Sequence, residues 1–346
     1  MKERLYLVTG AMGHLGNTII QQLSKRNCQI RGLALAGDHS VSFSDPKVEI
    51  VRGNVCEPES LQAFFDNPEN LDLIVIHTAG IVSITSKYQQ RVYDVNVTGT
   101  KNILDLCKKH HVKKLIHVSS VHAIPEKSNG QVISEVNHFN PDDVHGLYAK
   151  TKAEASQLVL DAAAKGLDAC IVHPSGIIGP GDWGHGHLTQ MIIDYLDGRL
   201  VACVNGGYDF VDVRDVAAGT IDCADKGISG ECYILSNRFC PVRDVLRTLH
   251  EITGKKEIKM ILPTWLAKAT APLAERYYKM LKQPPLYTSY SLYTLSANAN
   301  FTHQKASRQW GYAPRPLRET LADTAQWLLE HRRLKSCADW RTKAAL

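Results

Sequence analysis

The feature that most constrains the fold of this chain is a glycine-rich turn near its start. An apolar run, Leu5–Val8, leads directly into the segment Thr9–Gly16, which has the spacing GxxGxxG. Glycines at a strand-to-helix turn let backbone N–H groups approach a diphosphate, and the helix N-terminus favours its negative charge. The spacing is one residue longer than the common GxGxxG form. The turn predicts a dinucleotide site with contacts at Gly10, Met12, Gly13, His14, Leu15 and Gly16.

Apolar, strand-like runs alternate with helix-like stretches through the first half of the chain. The predicted strands are Leu5–Val8, Gln29–Leu35, Val48–Val51, Leu73–His77, Leu115–Ser119 and Asp168–His173. The predicted helices between them are Leu15–Lys25, Glu57–Phe65, Tyr93–His111 and Tyr148–Lys165. Strands too apolar to face water imply a parallel sheet covered by helices on both sides. We predict an α/β fold with a doubly wound parallel sheet of the Rossmann type.

The second half of the chain has a looser pattern, which predicts a smaller, mostly helical substrate lobe. Residues 1–173, joined by 208–236, are expected to form the NAD(P)-binding domain, and residues 174–207 and 237–335 the substrate lobe. The window 176–186 is rich in glycine and is predicted to be loop. Later elements are predicted as strands at Phe210–Val211 and Glu231–Leu235 and as helices at Val213–Cys223, Val242–Thr253 and Leu317–Arg333. Residues 336–346 are expected to be a frayed tail.

Composition and charge argue against several classes of protein. The 346 residues carry a formal net charge of +5 without a long basic block, so nucleic-acid binding is not predicted. The nine cysteines are scattered without a CxxC pair, which favours reduced thiols and no metal site. Without a signal peptide or a run of about 18 apolar residues, a cytoplasmic location and no membrane span are expected. The stretch Ile261–Leu281 is interpreted as a helix, with a membrane-surface helix as the alternative.

The end of the second strand normally decides between NAD and NADP. A carboxylate there holds the ribose 2′-hydroxyl, and an arginine holds a 2′-phosphate. The positions expected for this role, Ala34 and Leu35, carry no charge, and Asp38 comes late in the segment. Leu35 is predicted to contact the cofactor, but the sequence leaves the cofactor open as NAD or NADP.

Three later segments are also predicted to contact the cofactor. Their residues are Asn54, Val55, Thr78, Ala79, Gly80 and Asn96. The first two follow the third strand, where an amide can bond the adenine, although an ordinary turn is the alternative. The next three follow the fourth strand, where small residues let the backbone close over the cofactor. Asn96, early in the next helix, either contacts the cofactor or has a structural role.

The candidate acid/base group is a tyrosine on a predicted helix. Tyr148 and Lys152 are four residues apart, so they share a helix face. A phenol has an ordinary pKa of about 10, and a neighbouring ammonium and a positive nicotinamide ring are expected to lower it. Ser120 follows the fifth strand at the same sheet edge, where its hydroxyl can hold a substrate oxygen. Together the three residues predict hydride transfer at a carbon–oxygen bond.

These motifs together resemble the extended short-chain dehydrogenase/reductase family, also called the NAD-dependent epimerase/dehydratase family. TGAMGHLG, HTAG, NVTGT, the double serine, YAKTK, HPSGIIGPGD and FVDVRDVA stand in family order between residues 4 and 335. The resemblance implies that Ser120, rather than Ser119, acts with Tyr148 and Lys152 as a catalytic triad. It also implies cofactor contacts at Pro174 and Ser175, and it makes a homodimer an expectation of the family.

Departures from the family pattern bear on the substrate class. Gly176 stands where nucleotide-sugar epimerases have an asparagine that helps to bind the sugar diphosphate, and His173 stands where they have an arginine. Val121 and His122 replace the Asp-Glu pair of the dehydratases. The Pro-Ser-Gly and His-Thr-Ala segments are more similar to the dihydroflavonol reductase and 3β-hydroxysteroid dehydrogenase branch. That resemblance implies a carbonyl or alcohol of an apolar ring compound as substrate.

The leading hypothesis is an NAD(P)-dependent oxidoreductase that acts on a small, apolar substrate. Its predicted substrate contacts are Val82, Ile84, His122, Ile177, Trp183 and His187. The alternative is an NAD-dependent nucleotide-sugar epimerase, with Arg214 and Arg243 as candidate diphosphate clamps. A minor alternative is a non-catalytic dinucleotide sensor, although such relatives lose the Tyr/Lys pair. Asp215 is interpreted as a helix cap or loop anchor.

Overall fold

The central element of the fold is a seven-stranded parallel sheet. The computed structural model describes residues 3–26, 28–84, 87–263, 265–267, 269 and 289–331. The strands of the sheet are β1 (Arg4–Thr9), β2 (Gln29–Ala34), β3 (Val48–Arg52), β4 (Asp72–His77), β5 (Lys114–Val118), β6 (Ala169–Pro174) and β10 (Cys232–Leu235). Their spatial order is β10-β6-β5-β4-β1-β2-β3. The strand order reverses between β1 and β4, so a ligand crevice is expected at the carboxyl ends of these two strands.

Helices cover both faces of this sheet. They are α1 (His14–Leu23), α2 (Gln62–Phe65), α3 (Gln90–Tyr93), α4 (Gly99–Lys109), α5 (Leu147–Ala164) and α7 (Val213–Lys226). Alternate residues of β1 point to opposite faces: Leu5 and Leu7 pack into a core with α4 and α5, and Tyr6 and Val8 into a core with α1 and α7. Burial on both faces explains the continuous apolar runs. The predicted doubly wound parallel sheet is confirmed.

Two predicted helices differ from the structure. The helix expected over residues 93–111 is divided into α3, a π-helical turn at Asp94–Thr98, and α4. At this turn the carboxamide of Asn96 bonds both the backbone N–H and the backbone oxygen of Ile81, so a long-range contact holds the widened turn. The helix expected over residues 57–65 is α-helical only in α2, which follows a 3₁₀ turn.

The C-terminal part of the chain contains two small sheets as well as helices. β7 (Gly176–Ile178), β9 (Gly207–Asp212) and β11 (Arg238–Pro241) form one sheet, and β8 (Cys203–Val204) pairs with β12 (Ile261–Leu262). The helices are α6 (His187–Leu196), α8 (Val242–Thr253), α9 (Ser289–Ser296), α10 (Gln304–Trp310) and α11 (Leu317–His331). α6, α8 and α11 enclose a separate apolar core.

The prediction that the whole glycine-rich window is loop is wrong. Residues 176–178 pair in parallel with Phe210–Asp212, and Gly176 permits the close approach because a Cβ there would lie 2.9 Å from the Asp209 oxygen. The helix predicted over 261–281 begins instead with β12. Residues 270–288 and the predicted tail, 336–346, lie outside the described residues, as does Arg333. Among the helices that the structure describes, none is long and apolar enough to cross a membrane.

Candidate functional site

The glycine-rich turn lies at the carboxyl end of β1, packed against the end of β4. Gly10 has a φ of +66°, and a Cβ on it would lie 2.8 Å from Oγ1 of Thr78. A Cβ on Gly16 would lie 2.1 Å from the backbone oxygen of Gly10, so this position admits only glycine without a shift of the backbone. α1 begins after Gly13, which makes no side-chain capping bond. The tight turn and uncapped helix start fit the diphosphate of a dinucleotide.

Three other residues predicted in this turn belong to the protein interior. Met12 and Leu15 are buried. The ring Nε2 of His14 lies 3.1 Å from the backbone oxygen of Pro180, and burial lowers the pKa of this histidine. The amide of Asn17 donates to the oxygen of Gly181 over 3.2 Å. These contacts join the start of α1 to the loop after β7, so the turn is held from both sides.

The segment after β4 crosses the turn and approaches the candidate catalytic groups. Thr78 donates its hydroxyl to the Thr9 oxygen over 2.6 Å. The N–H of Ala79 donates to the Thr9 hydroxyl over 3.1 Å. A Cβ on Gly80 would lie 3.3 Å from Nζ of Lys152 and from Oδ1 of Asn96, so the backbone closely approaches both groups.

The sequence left open whether Asn96 contacts the cofactor or has a structural role. Its hydrogen-bond partners favour the structural role. Its Oδ1 accepts from the N–H of Ile81 over 2.8 Å. Its Nδ2 donates to the Ile81 oxygen and to the hydroxyl of Thr151, each over 3.1 Å. The side chain therefore ties the loop after β4 to α5, the helix that carries Tyr148.

At the predicted adenine end of the site lies the positively charged side chain of Arg52, which was not predicted to have a role there. Nη1 of Arg52 donates to the Leu35 oxygen over 3.1 Å, beside the exposed Leu35 side chain. The amide of Asn54 is committed to its own loop, because Nδ2 donates to Glu57 over 2.8 Å and Oδ1 accepts from the N–H of Cys56 over 3.1 Å. The buried Val55 side chain packs on Gly99. Asn54 is thus placed as a turn residue, the alternative reading of this segment.

Tyr148, Ser120 and Lys152 converge at the carboxyl end of β5. The phenol of Tyr148 faces the Ser120 side chain, which lowers the pKa of the phenol against the effect of burial. One helical turn further along α5, Nζ of Lys152 donates to the Val118 oxygen over 2.8 Å. All three side chains are buried. Ser119 faces elsewhere, since its hydroxyl lies 2.7 Å from that of Ser156, so the choice of Ser120 agrees with the geometry.

Burial sets the proton affinities of the two ionisable groups. It raises the pKa of Tyr148 to about 12, and only the Ser120 hydrogen bond is found to oppose this rise among the described residues. This direction is opposite to the lowered pKa that the spacing of Tyr148 and Lys152 suggested. Burial also lowers the pKa of Lys152 to about 8. Both shifts have the same direction, because a low-dielectric site favours the neutral form of each group over its charged form.

The residues after β6 contact the site through their neighbours. Nδ1 of His173 lies 2.9 Å from the Ser120 oxygen, and burial lowers the pKa of this imidazole to about 4. Ser175 donates its hydroxyl to Oδ1 of Asp209 over 2.5 Å. Pro174 is buried as the last residue of β6. The predicted contacts of Pro174 and Ser175 with a cofactor stay predictions.

A cavity of about 300 Å³ is lined by Val121 and Ala149, the chain neighbours of Ser120 and Tyr148. His122, Tyr208 and Tyr290 line it, and the ring of His122 lies 6.0 Å from that of Tyr148. Sequence reasoning missed the two tyrosines because β9 and α9 lie far from Tyr148 along the chain. Burial lowers the pKa of His122 to about 4, which keeps this imidazole neutral.

The other predicted substrate residues are not among the described residues that line this cavity. They are Val82, Ile84, Ile177, Trp183 and His187. The first is 62% exposed. The Trp183 ring packs instead against Trp327 with ring centroids 5.0 Å apart. Only His122 of the predicted set faces the cavity, and substrate contact by the remaining five stays a prediction.

Comparison with known proteins identifies the family. The model of the NAD dependent epimerase/dehydratase family matches residues 6–235. The chain belongs to this family. It is therefore an enzyme of the extended short-chain dehydrogenase/reductase type, a class of NAD(P)-dependent oxidoreductases and dehydratases, and NAD is the cofactor that gives the family its name.

Full-length relatives agree with this membership. The chain is 30% identical to sterol demethylase protein B of Methylococcus capsulatus, over 94% of this chain and 98% of that protein. It is 28% identical to a putative dihydroflavonol 4-reductase of Synechocystis, over 96% of each chain. The crystal structure of gox2253 has a TM-score of 0.82 and 29% identity, over 97% of this chain and 100% of that chain. The resemblance to the extended family, with dihydroflavonol reductase-like relatives, is confirmed.

Proposed function

We propose that this enzyme transfers a hydride between NAD(P) and the carbonyl or secondary alcohol carbon of a small, apolar ring compound, with Tyr148 as acid/base. The observation that carries the proposal is the convergence of the buried Tyr148, Ser120 and Lys152 side chains at the carboxyl edge of β5, with Lys152 one helical turn from the tyrosine. The cofactor, when bound, supplies or accepts the hydride. The glycine turn and Gly80 are placed to hold it on the same edge.

Each of the three side chains has one task in this proposal. The high pKa of Tyr148, about 12, keeps the phenol protonated near neutral pH, so it can donate to a carbonyl oxygen. Ser120 holds that oxygen beside the phenol. The ammonium of Lys152 stabilises the phenolate left after the transfer, since opposite charge favours the ionised form. In the alcohol-oxidising direction the same groups act in reverse.

The surroundings of the cavity support a substrate without phosphate or carboxylate groups. Glu126, Asp142 and Asp143 lie at the cavity, so an anionic ligand would meet like charge there. The remaining wall combines aliphatic and aromatic residues with the neutral polar side chains of Thr294 and Asn298. Relatives named as a sterol demethylase protein and a dihydroflavonol reductase fit a ring compound as substrate class.

The epimerase alternative is less well supported by the charges of the structure. Arg214 forms ion pairs with Asp212 and Asp323, both at 2.7 Å. Arg243 lies 3.7 Å from Asp244 and is largely exposed. Neither arginine faces the cavity, so a clamp for a sugar diphosphate would need other residues. The sensor alternative is weakened because Tyr148 and Lys152, the pair that such relatives lose, are both present.

The test is turnover of NADH and NADPH with a panel of aromatic and alicyclic ketones. We expect reduction by the wild-type enzyme and a loss of about 10²–10⁴-fold in kcat for Tyr148→Phe, the usual contribution of an acid/base group. The matched control is Tyr195→Phe, which removes the hydroxyl of a buried tyrosine in α6 that contacts the Lys255 oxygen. Absence of turnover across the panel, or an unchanged kcat in Tyr148→Phe, would contradict the proposal.

A further inference from the structure

Tyr290 places an unpaired hydroxyl in the wall of the cavity beside Tyr148. The residue is 7% exposed, and its hydroxyl is buried without a hydrogen-bond partner among the described residues. Its ring packs on Gly146, where an added Cβ would lie 2.3 Å from Cε2 of the ring. Because buried hydroxyls in folded proteins nearly always have a partner, this one points to a ligand.

A hydrogen-bonded pair, Tyr208 and His122, lies next to Tyr290 in the same cavity wall. The hydroxyl of Tyr208 lies 2.9 Å from Nε2 of His122, and the two rings stack with centroids 5.6 Å apart. The His122 ring lies 6.3 Å from that of Tyr290. The backbone N–H of His122 donates to Oγ of Ser120 over 3.2 Å, so the pair is joined to the hydroxyl that faces Tyr148. The wall thus holds Tyr290 beside a polar pair that is joined through the backbone to Ser120.

The lining and the volume of the cavity limit the size and the chemistry of a ligand that can bind there. Its apolar wall is formed by Val121, Ile124, Ile133, Val144, Ala149 and Phe301. Its volume, about 300 Å³, is at the lower end for small-ligand sites. An apolar ring system of one or two fused rings matches this space. The oxygen at its far end has to be neutral, since Glu126, Asp142 and Asp143 lie nearby.

We propose that Tyr290 recognises a second oxygen of the substrate, a hydroxyl or carbonyl carried on the ring system away from the reacting carbon. The Tyr208–His122 pair lies beside this contact and orients the wall. The inference rests on the proposed function for the position of the reacting carbon and deepens it. It makes the substrate an oxygenated ring compound with polar groups at both ends, and not a hydrocarbon ring with a single ketone.

Binding of two bicyclic alcohols separates this role from catalysis. We would measure the Kd of 2-decalol and of decalin-2,6-diol by titration calorimetry, with the enzyme saturated with NADH so that the alcohols bind without being oxidised. In the wild type we expect the diol to bind about tenfold more tightly than the mono-ol, the effect of one buried hydrogen bond. In Tyr290→Phe this ratio should fall toward one. The control Tyr195→Phe should keep the wild-type ratio.

The outcomes discriminate between the two proposals. A wild-type enzyme that does not prefer the diol, or does not bind it, overturns the role of Tyr290, as does a Tyr290→Phe variant that keeps the preference. Equal weakening of both alcohols leaves the ratio unchanged and therefore also overturns it. Loss of the ratio in Tyr290→Phe, combined with normal ketone turnover in Tyr148→Phe, would instead keep the recognition site and reject the proposed chemistry.

Discussion

The side-chain nitrogen of Lys152 donates a hydrogen bond of 2.8 Å to the backbone oxygen of Val118. Val118 is the last residue of β5, two positions before Ser120, so this bond ties the catalytic helix to the strand that presents the serine. Burial lowers the pKa of Lys152 to about 8. The charge proposed to stabilise the phenolate of Tyr148 is therefore lost just above neutral pH.

The first prediction concerns this charge. In ketone reduction, kcat should fall as the pH rises through about 8, because deprotonation removes the ammonium. Lys152→Met should lower kcat by about 10²–10³-fold at neutral pH, which is within the range of acid/base contributions. The kcat of this variant should show no decrease near pH 8. The measurement is the pH profile of kcat for both proteins. A decrease in kcat near pH 8 that persists in Lys152→Met would show that another group titrates there.

The second prediction concerns the close packing of the glycine turn. A Cβ on Gly16 would lie 2.1 Å from the Gly10 oxygen, so Gly16→Ala must displace backbone in the cofactor turn. We expect NADH to bind at least about tenfold more weakly, a loss of roughly 1.4 kcal/mol or more. Gly184→Ala is the control, because a Cβ there would come no closer than 3.7 Å to Asp182. Equal NADH affinities in calorimetry would place the diphosphate elsewhere.

The third prediction concerns the choice of cofactor. Arg52 bonds the Leu35 oxygen at the strand end where a 2′-phosphate is normally recognised. Arg52→Leu should therefore weaken the binding of NADPH about tenfold more than the binding of NADH, because an arginine–phosphate contact is charge-assisted. The exposed Arg238 of β11 serves as control in the variant Arg238→Leu. If Arg52→Leu affects both cofactors equally, Arg52 only holds the loop.

The fourth prediction concerns stability. Asp215 accepts from the backbone N–H of Arg315 over 2.7 Å and from its guanidinium over 2.8 and 3.0 Å. The carboxylate is largely buried, and Asp215→Ala removes these charge-assisted bonds while Arg315 keeps Asp212 and Glu319 as partners, so the free energy of unfolding should fall by about 2 kcal/mol. Asp222→Ala, in an exposed pair with Lys226, should cost less than about 0.5 kcal/mol. Urea denaturation of the variants measures both, and equal losses would contradict the assigned role.

The fifth prediction concerns the pH dependence of stability. Burial raises the pKa of Asp209 from 3.8 to about 6, so the native state keeps this proton to a higher pH than the unfolded chain. Protonated Asp209 therefore contributes on the order of 3 kcal/mol to the free energy of unfolding. This contribution is fully present below pH 3.8 and is lost as the pH rises through about 6. Asp209→Asn should remove it. The test is the difference in unfolding free energy between wild type and variant at pH 4 and pH 7; a difference that does not change with pH would contradict it.

Several features of the site could be foreseen because they are local in the sequence. The glycine spacing, the four-residue separation of Tyr148 and Lys152, and the serine after a strand each depend on short-range geometry. α8 has the predicted limits, Val242–Thr253, because helical periodicity and Gly254 define both ends. Asp215 anchors the loop at Arg315, one of its two predicted structural roles, while the neighbouring Asp212 caps α7.

Other features required the folded chain. The π-helical turn at Asp94–Thr98 depends on contacts between Asn96 and Ile81, and β7 exists because β9 pairs with it. The predicted lowering of the pKa of Tyr148 depended on a neighbouring ammonium and a nicotinamide ring, whereas in the structure burial of the phenol raises this pKa. Spacing gives neighbours along a helix but not the desolvation of a group.

By itself, the sequence determined the family, the doubly wound sheet, and the residues that gather at its carboxyl edge. The sheet follows from apolar periodicity and from glycines that only certain turns accept, and the family follows from the resemblance of the motifs and their order. Only the tertiary structure decided the shape and polarity of the cavity, where Tyr208 of β9 and Tyr290 of α9 meet His122. That meeting is a matter of packing between segments far apart in the chain, and no local pattern encodes it.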